Sequence, residues 1–268
     1  MHSIILTVHN KGWLVEDVMK GIYENTHGDY ELIVVLDGCS DNSEGIVLSN
    51  MKEENTTIIY EDDVFETKAN NAGLRIAKGE YVIIVQDDMI IREDGWNKRM
   101  EKPFREFDDV FAVTSRTAHN WVINPASQHV HMKEHLDNCW SDIVIHTDHA
   151  QNGKIPRDIF AVRATVNRGP LMIDHADLKK MNYFDEEFSP QDMDDHDLMY
   201  RMHKELGKVC GCYWIDFETR DEWGGTREET GSPAAWLLKA NQKNAKIFYS
   251  RHKDLLAMQY ENEDRYLP

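Results

Sequence analysis

The chain has 268 residues, 41% hydrophobic and 29% charged, which allows one large α/β domain or two small ones and excludes a disordered chain. A net charge of −18 excludes broad electrostatic binding of DNA or RNA, whose phosphates need a basic surface, so no nucleic-acid partner is expected. The longest apolar runs, such as Ile4 to Leu6 and Tyr81 to Val85, are far too short to span a bilayer.

Met1-His2-Ser3 carries no basic-then-apolar signal, and no pair among Cys39, Cys139, Cys210 and Cys212 has CxxC spacing. Reduced thiols in a cytoplasmic protein are the expectation. Ser3 to Val8 is a β-rich run that stops at the turn cluster His9-Asn10-Lys11-Gly12. Trp13 to Tyr23 follows with Leu14, Val18, Met19 and Ile22 at helical spacing. Glu31 to Leu36 is almost wholly apolar, as a parallel strand covered on both faces should be, and ends in the small polar loop Asp37 to Ser43. Helical spacing returns over Gly45 to Met51, Thr56 to Tyr60 reads as a strand, and Lys68 to Ala77 as a helix stopped by Lys78-Gly79. Tyr81 to Val85 is the next buried strand and breaks at Gln86-Asp87-Asp88. Strand and helix thus alternate in a pattern of right-handed βαβ units with a mostly parallel sheet. Ligands of such sheets sit beyond the carboxyl ends of the strands. Thr7 to Asn10, Asp37 to Asp41 and Gln86 to Asp88 all fall there.

Beyond Asp88 the pattern loosens. Trp96 to Phe107 looks helical, Val110 to Thr114 looks like a strand, and Ala118 to Asp158 is rich in His, Asn, Asp and Trp without a period. So long an aperiodic stretch reads as functional or mobile. Val166 to Asp174 reads as one strand, Ala176 to Met181 as a short helix, Asp195 to Leu206 as a strong helix and Val209 to Ile215 as a strand. A helical region begins at Pro233 and runs into a charged tail. The domain division expected is 1–232, split into halves 1–115 and 116–232, with a helical extension over 233–268.

Two acidic clusters stand out. Asp87-Asp88 follows a buried strand, where adjacent carboxylates repel unless a cation or hydrogen bonds offset them. Hard divalent cations favour carboxylate oxygens together with substrate phosphates. The other cluster places Asp192, Asp194, Asp195 and Asp197 at the start of a helix whose Leu198, Met202 and Leu206 could face the core. Such crowding should raise at least one carboxylate pKa, which suits a general base; helix capping explains the same residues equally well.

Taken in order, Thr7-Val8-His9-Asn10 and Val34-Val35-Leu36-Asp37-Gly38-Cys39-Ser40-Asp41 resemble the opening of family 2 glycosyltransferases of the GT-A fold. Asn70-Asn71-Ala72-Gly73-Leu74 and Ala77-Lys78-Gly79-Glu80-Tyr81 are similar to the segment leading to that family's DXD motif, and Gln86-Asp87-Asp88 stands in its place. Phe184-Asp185-Glu186-Glu187-Phe188 and Asp194-Asp195-His196-Asp197-Leu198-Met199-Tyr200-Arg201 resemble the family's later acidic stretch, so the likeness covers roughly 3–226. It implies an α/β GT-A fold, a single Rossmann-like, mostly parallel sheet flanked by helices. It also implies transfer of a sugar from a nucleoside-diphosphate sugar, most often a UDP-sugar, to a glycan, lipid-linked or other hydroxyl acceptor, with inversion. By the same resemblance Asp37 would accept the N–H of the base, Thr7 and Asn10 would line the nucleotide site, and Asp87 would lie near the ribose. Asp88 would hold Mn²⁺ or Mg²⁺, Asp195 would be the general base, and Arg201 would brace its helix. Gln86 replaces the first acid of DXD, Leu36 the first Asp of DDGS and Asp194 the usual Glu. No histidine precedes Gly224-Gly225-Thr226, so Asp221 or Glu222 would supply the late metal ligand.

A non-catalytic sugar-nucleotide or glycan-binding relative is the competing class. A nucleotidyltransferase is a poorer one, because His9-Asn10-Lys11-Gly12 is a weak triphosphate loop. His129, His131, His135, His146 and His149 match no common zinc spacing and fit a His-rich acceptor loop better. Trp121, Trp140 and Trp223 suit either sugar stacking or the core, with Trp223 the best placed to stack. The stretch from Trp236 to Lys253 mixes apolar and basic residues at helical spacing; packing on the domain is favoured over peripheral membrane contact.

Overall fold

The computed structural model describes residues 1–121, 140–145, 156–220, 223–224, 228–229, 232–233, 235–256 and 263–267. Asp221, Glu222, Cys139 and the histidines at 129, 131, 135, 146 and 149 lie outside them, as do the side chains of Trp121 and Trp140.

The first half alternates strand and helix: β1 (His2–Val8), α1 (Val15–Asn25), β2 (Tyr30–Asp37), α2 (Ser43–Asn50), β3 (Thr56–Glu61), α3 (Phe65–Ile76) and β4 (Tyr81–Gln86). Strand β1 runs parallel to both β2 and β4, and β2 parallel to β3. Period-two alternation sorts their apolar side chains between two layers. Ile4, Leu6 and Val8 of β1 face the layer that holds Val15, Val18, Met19 and Ile22 of α1, while Ile5 faces the layer that holds Ala69 and Leu74 of α3. Strand β4 divides in the same way, with Ile83 and Val85 on one side and Val82 and Ile84 on the other. Apolar burial on both faces explains why these strands read as unbroken hydrophobic runs.

The second half completes the sheet. After the short β5 (Ile90–Ile91) and α4 (Trp96–Glu106) come β6 (Val110–Thr114), β7 (Thr117–Trp121), β8 (Trp140–Ile145), β9 (Ile159–Arg163), β10 (Thr165–Val166) and β11 (Leu171–Asp174). Then follow α5 (His175–Lys180), α6 (Asp194–Leu206), β12 (Val209–Cys212), β13 (Phe217–Glu218), β14 (Glu228–Glu229), β15 (Ser232–Pro233), α7 (Ala235–Leu256) and β16 (Glu263–Tyr266). The main sheet has nine strands in the order β16-β9-β12-β6-β11-β4-β1-β2-β3. Strand β11 lies antiparallel between β4 and β6 and joins the two halves. The sheet is therefore mixed, with the parallel block formed by β4, β1, β2 and β3.

Three sequence expectations change. The run Val166 to Asp174 is not one strand: Asn167-Arg168-Gly169-Pro170 form a turn between β10 and β11. Gly169 has φ +89 there and Pro170 has no N–H to donate to a ladder. The strand expected over Val209 to Ile215 stops at Cys212, and part of the charged tail forms β16 against β9. Helix α7 rests on α6, where Phe248 meets the Tyr200 ring edge-on at 5.4 Å and His252 Nε2 lies 2.8 Å from Asp197 Oδ1. Among the described residues no helix is long and apolar enough to cross a membrane.

Candidate active site

The carboxyl ends of β1, β2 and β4 carry the expected loops to one edge, where hydrogen bonds tie them together. Asn10, in the left-handed region at φ 51, accepts the Ser40 and Asp41 N–H groups on Oδ1 at 2.7 and 3.2 Å, which locks the β1 loop onto the β2 loop. Thr7 donates its hydroxyl to Asn70 Oδ1 at 2.9 Å, joining β1 to α3. Asp41 accepts the Gly12 and Ser43 N–H groups, both at 2.9 Å. These contacts outweigh its burial and hold its pKa below the usual range.

Asp37 is fully buried, and its carboxylate accepts the N–H groups of Val64 at 2.6 Å and Phe65 at 3.0 Å. The oxygens expected to meet a base N–H are thus engaged in fixing the turn into α3. His9 Nδ1, Asp37 and Asp63 lie close enough to suggest a cation site. However, His9 Nδ1 sits 2.6 Å from the Asp37 carbonyl oxygen and so donates its proton there, while Nε2 accepts from Asn10 Nδ2 at 3.1 Å. A metal would have to break that first bond, so the trio is a poor fit.

The end of β4 fits a cation better. Asp87 accepts the His9 N–H on Oδ2 at 2.9 Å, and Lys11 Nζ, almost fully buried, lies 4.0 Å from its Oδ1. Burial pushes Asp87 up to about 7, with Asp88 adding to the push and Lys11 and the His9 N–H opposing it. Asp88 Oδ1 is buried without a hydrogen-bond partner among the described residues. A buried carboxylate oxygen is costly in that state, and a hard cation would satisfy it. Gln86 turns from these acids: its Nε2 donates to Glu66 Oε1 at 2.9 Å and its Oε1 accepts from Arg116 at 3.0 Å.

The second acidic cluster lies across a cavity of ≈ 270 Å³ lined by Glu66, Gln86, Arg116, Asp192, Asp195 and Asn241 among others. Asp194 is fully buried and pairs bidentately with Arg168, whose Nη2 is 2.8 Å from Oδ1; Thr67 Oγ1 donates to it at 2.8 Å. Asp195 takes His196 Nδ1 on Oδ1 at 2.6 Å and the Arg168 N–H on Oδ2 at 3.3 Å. Asp197, also fully buried, is bound by Arg201 Nε at 2.7 Å, and Arg201 also reaches the Met181 and Tyr183 carbonyl oxygens at 2.6 and 2.9 Å. Arg201 does brace its helix.

Crowding does raise one carboxylate of this cluster, but it is not Asp195. Burial, joined by the Asp195 and Asp194 charges, pushes Asp192 up to about 6 against the pull of His196. Burial would raise Asp195 too, yet His196 and Arg168 hold it below the usual carboxylate range. Trp223 is 9% exposed and belongs to the main core, with Arg220 4.9 Å over its ring; this is the core role rather than the sugar-stacking one. Sequence reasoning missed Arg168, Glu66, Arg116 and Asn241. Each stands alone in a turn or helix with no motif to mark it.

The glycosyl transferase family 2 sequence model matches residues 3–167. The chain belongs to this family. Among curated proteins, this family 2 chain is 32% identical over 94 residues to glycosyltransferase GlyG of Streptococcus pneumoniae, covering 34% of this chain and 31% of that protein. It is 29% identical over 94 residues to poly-beta-1,6-N-acetyl-D-glucosamine synthase of Staphylococcus epidermidis, covering 34% of this chain and 23% of the synthase. The match thus spans a third or less of these relatives' own length. Two solved structures share the fold. S. aureus TarS 1–349 in complex with UDP-GlcNAc gives a TM-score of 0.57 at 14% identity, over 97% of this chain and 68% of TarS. GalNAc-T7 with UDP, GalNAc and Mn²⁺ gives 0.64 at 13% identity, over 96% of this chain and 50% of that one. The fold is GT-A.

Proposed function

We propose that this glycosyltransferase moves a sugar from a nucleoside-diphosphate sugar, a UDP-sugar in the first instance, to an acceptor hydroxyl with inversion. The observation that carries the reading is the cavity between the end of β4 and the start of α6, with Gln86 and Asp195 on its wall; two residues after Gln86, the Asp88 Oδ1 is buried and unsatisfied among the described residues. TarS bound to UDP-GlcNAc and GalNAc-T7 bound to UDP and Mn²⁺ support the donor and the cation by likeness of fold.

In this reading Thr7 and Asn10 line the nucleotide site, and Asp87 lies near the ribose. Asp37 serves the base by fixing the 63–65 turn with its carboxylate. Asp88 holds Mn²⁺ or Mg²⁺, with Asp221 assigned as a second oxygen ligand from the sequence alone. When bound, the cation supplies Lewis-acid neutralisation of the departing diphosphate. Asp195 accepts the proton of the acceptor hydroxyl as that oxygen bonds to the anomeric carbon and the bond from that carbon to the diphosphate breaks. One displacement from the opposite face inverts the centre. The acceptor is a glycan, lipid-linked or other hydroxyl compound, which the Asp192 and Asn241 side of the cavity would meet.

Thermal shift with UDP-, GDP- and dTDP-sugars, with and without Mn²⁺, tests the donor half. A ligand at 100 times its Kd stabilises the folded state by about 2.7 kcal/mol. Asp88→Ala should remove the Mn²⁺-dependent part. Asp195→Asn should keep the UDP shift and lose transfer and donor hydrolysis by about 10²–10⁴-fold. Donor hydrolysis untouched by both substitutions would sink the mechanism.

A further inference from the structure

Behind Asp195 lies a pair of imidazoles that the proposed reaction has not yet used. His196, next in sequence, is 3% exposed, and His119 of β7 is fully buried. His196 Nδ1 lies 2.6 Å from Asp195 Oδ1, so that nitrogen carries a proton and donates it. The His196 N–H also donates to Oδ1, at 2.9 Å. On the far side of the ring, His196 Nε2 faces His119 Nε2 at 3.1 Å. Two ring nitrogens at that distance can share one proton and cannot hold two. Either His196 is an imidazolium donating to a neutral His119, or both rings are neutral and His119 donates to His196. In both states the His196 Nδ1–H stays on Asp195.

We propose, on the reading of Asp195 as general base, that His196 and His119 are positioning residues for it. They share a single proton that fixes which Asp195 oxygen faces the cavity and sets how strong a base it is. Oδ1 is committed to His196, which leaves Oδ2, held among the described residues only by the 3.3 Å bond from the Arg168 N–H, for the acceptor. With His196 charged, Asp195 is a poor base. Loss of one proton from the pair raises its basicity without releasing the Nδ1–H that orients it.

The groups around the pair favour the charge on His196. Asp195, Asp192 and Asp194 draw its pKa upward against the cost of burial. Burial and the neighbouring His196 push His119 down to about 3. From the other elements packed here, Arg168 opposes the charge through Asp194 and Asp195, and α7 presents the Phe248 ring edge-on at 6.1 Å. Asp195 and His196 therefore titrate as a pair, with His196 losing the proton that governs activity.

The test has two arms on the full chain. Histidine ¹⁵N NMR, assigned with His119→Gln and His196→Asn, should show His196 protonated on both nitrogens near neutrality and His119 neutral throughout. A His119 that charges first, or a His196 neutral from pH 5 upward, overturns the shared proton. The second arm follows hydrolysis of UDP-GlcNAc with pH. One unit below its acid limb the wild type should fall about tenfold, as one titrating group dictates. His196→Asn, which keeps an N–H for Oδ1 and cannot titrate, should shift that limb acidward by at least a unit. His196→Ala should lose kcat about tenfold or more with the donor KM unchanged, because orientation goes as well. An unmoved limb in His196→Asn overturns the role. Wild-type hydrolysis in Asp195→Asn would remove the base assignment and this role with it, while the NMR arm, needing no turnover, decides the shared proton separately.

Discussion

The buried Asp194–Arg168 pair ties the start of α6 to the turn before β11, and its removal should be costly. Asp194 is fully buried and Arg168 is 6% exposed, with two guanidinium N–H groups on the carboxylate and Thr67 donating to it as well. Asp194→Asn keeps the shape but leaves a buried guanidinium without its main counter-charge. Breaking such a pair from one side costs about 3–5 kcal/mol. Glu66 Oε1, 3.3 Å from Arg168 Nε, remains as a partial partner and places the loss toward the lower end, about 3 kcal/mol. In a protein of this size that is a fall in Tm of about 6–12 °C. The assay is urea unfolding followed by circular dichroism, comparing midpoints at an unchanged m value. The double change Asp194→Leu with Arg168→Met removes both charges and should recover to within about 2 kcal/mol of wild type, since a well-packed apolar pair of similar volume replaces a buried ion pair at little cost. A single Asp194→Asn variant within about 1 kcal/mol of wild type would refute the reasoning. So would a double variant less stable than the single one.

Three further outcomes follow from the same geometry. Asp197 is buried, yet His252 and Arg201 hold its pKa below the ordinary carboxylate value. A depressed folded-state pKa contributes stability that is full above about pH 4 and drains away as pH falls below it, so Asp197→Asn should flatten the acid side of a urea midpoint-against-pH curve. Gly38 has φ +59, and a Cβ there would sit 2.5 Å from Asp63 Cβ; Gly38→Ala should cost about 2 kcal/mol or more and weaken UDP binding by calorimetry. Asn244 Nδ2 donates to the Phe188 and Gln191 carbonyl oxygens at 2.5 and 2.7 Å, so Asn244→Ala should cost about 1–3 kcal/mol in urea unfolding by leaving both acceptors unpaired.

Local pattern made the parallel block legible. Ile4 to Leu6, Ile33 to Leu36 and Val82 to Val85 are apolar on both faces because both faces are covered, and the polar loops fall at strand ends as the topology demands. The second half was less so, because its organising contacts are long-range. The turn Asn167 to Pro170 hides within an apolar run, and β11 is inserted between strands it follows by 57 residues or more. At the site, Asp88 and Asp195 were visible through their neighbours in sequence. The long-range contacts of the second cluster were not: Arg168 meets Asp194 across 26 residues, and His119 meets His196 across 77. The expected rise falls on Asp192 and not on Asp195 for the same reason. Crowding is legible in sequence, whereas the imidazole and guanidinium that reverse its effect on Asp195 arrive through the fold.

The position of β11 has a consequence for how the chain can be divided. The family match ends at residue 167, but the strand that joins β4 to β6 begins at Leu171. A fragment cut at that match would leave β4 and β6 each with an unpaired edge in the middle of the sheet, apolar and flat. Such edges recruit other chains, so the fragment should aggregate rather than bind nucleotide. During synthesis the same two edges stay open until residues 171–174 are available, and the far edge of β6 until residues 209–212 follow.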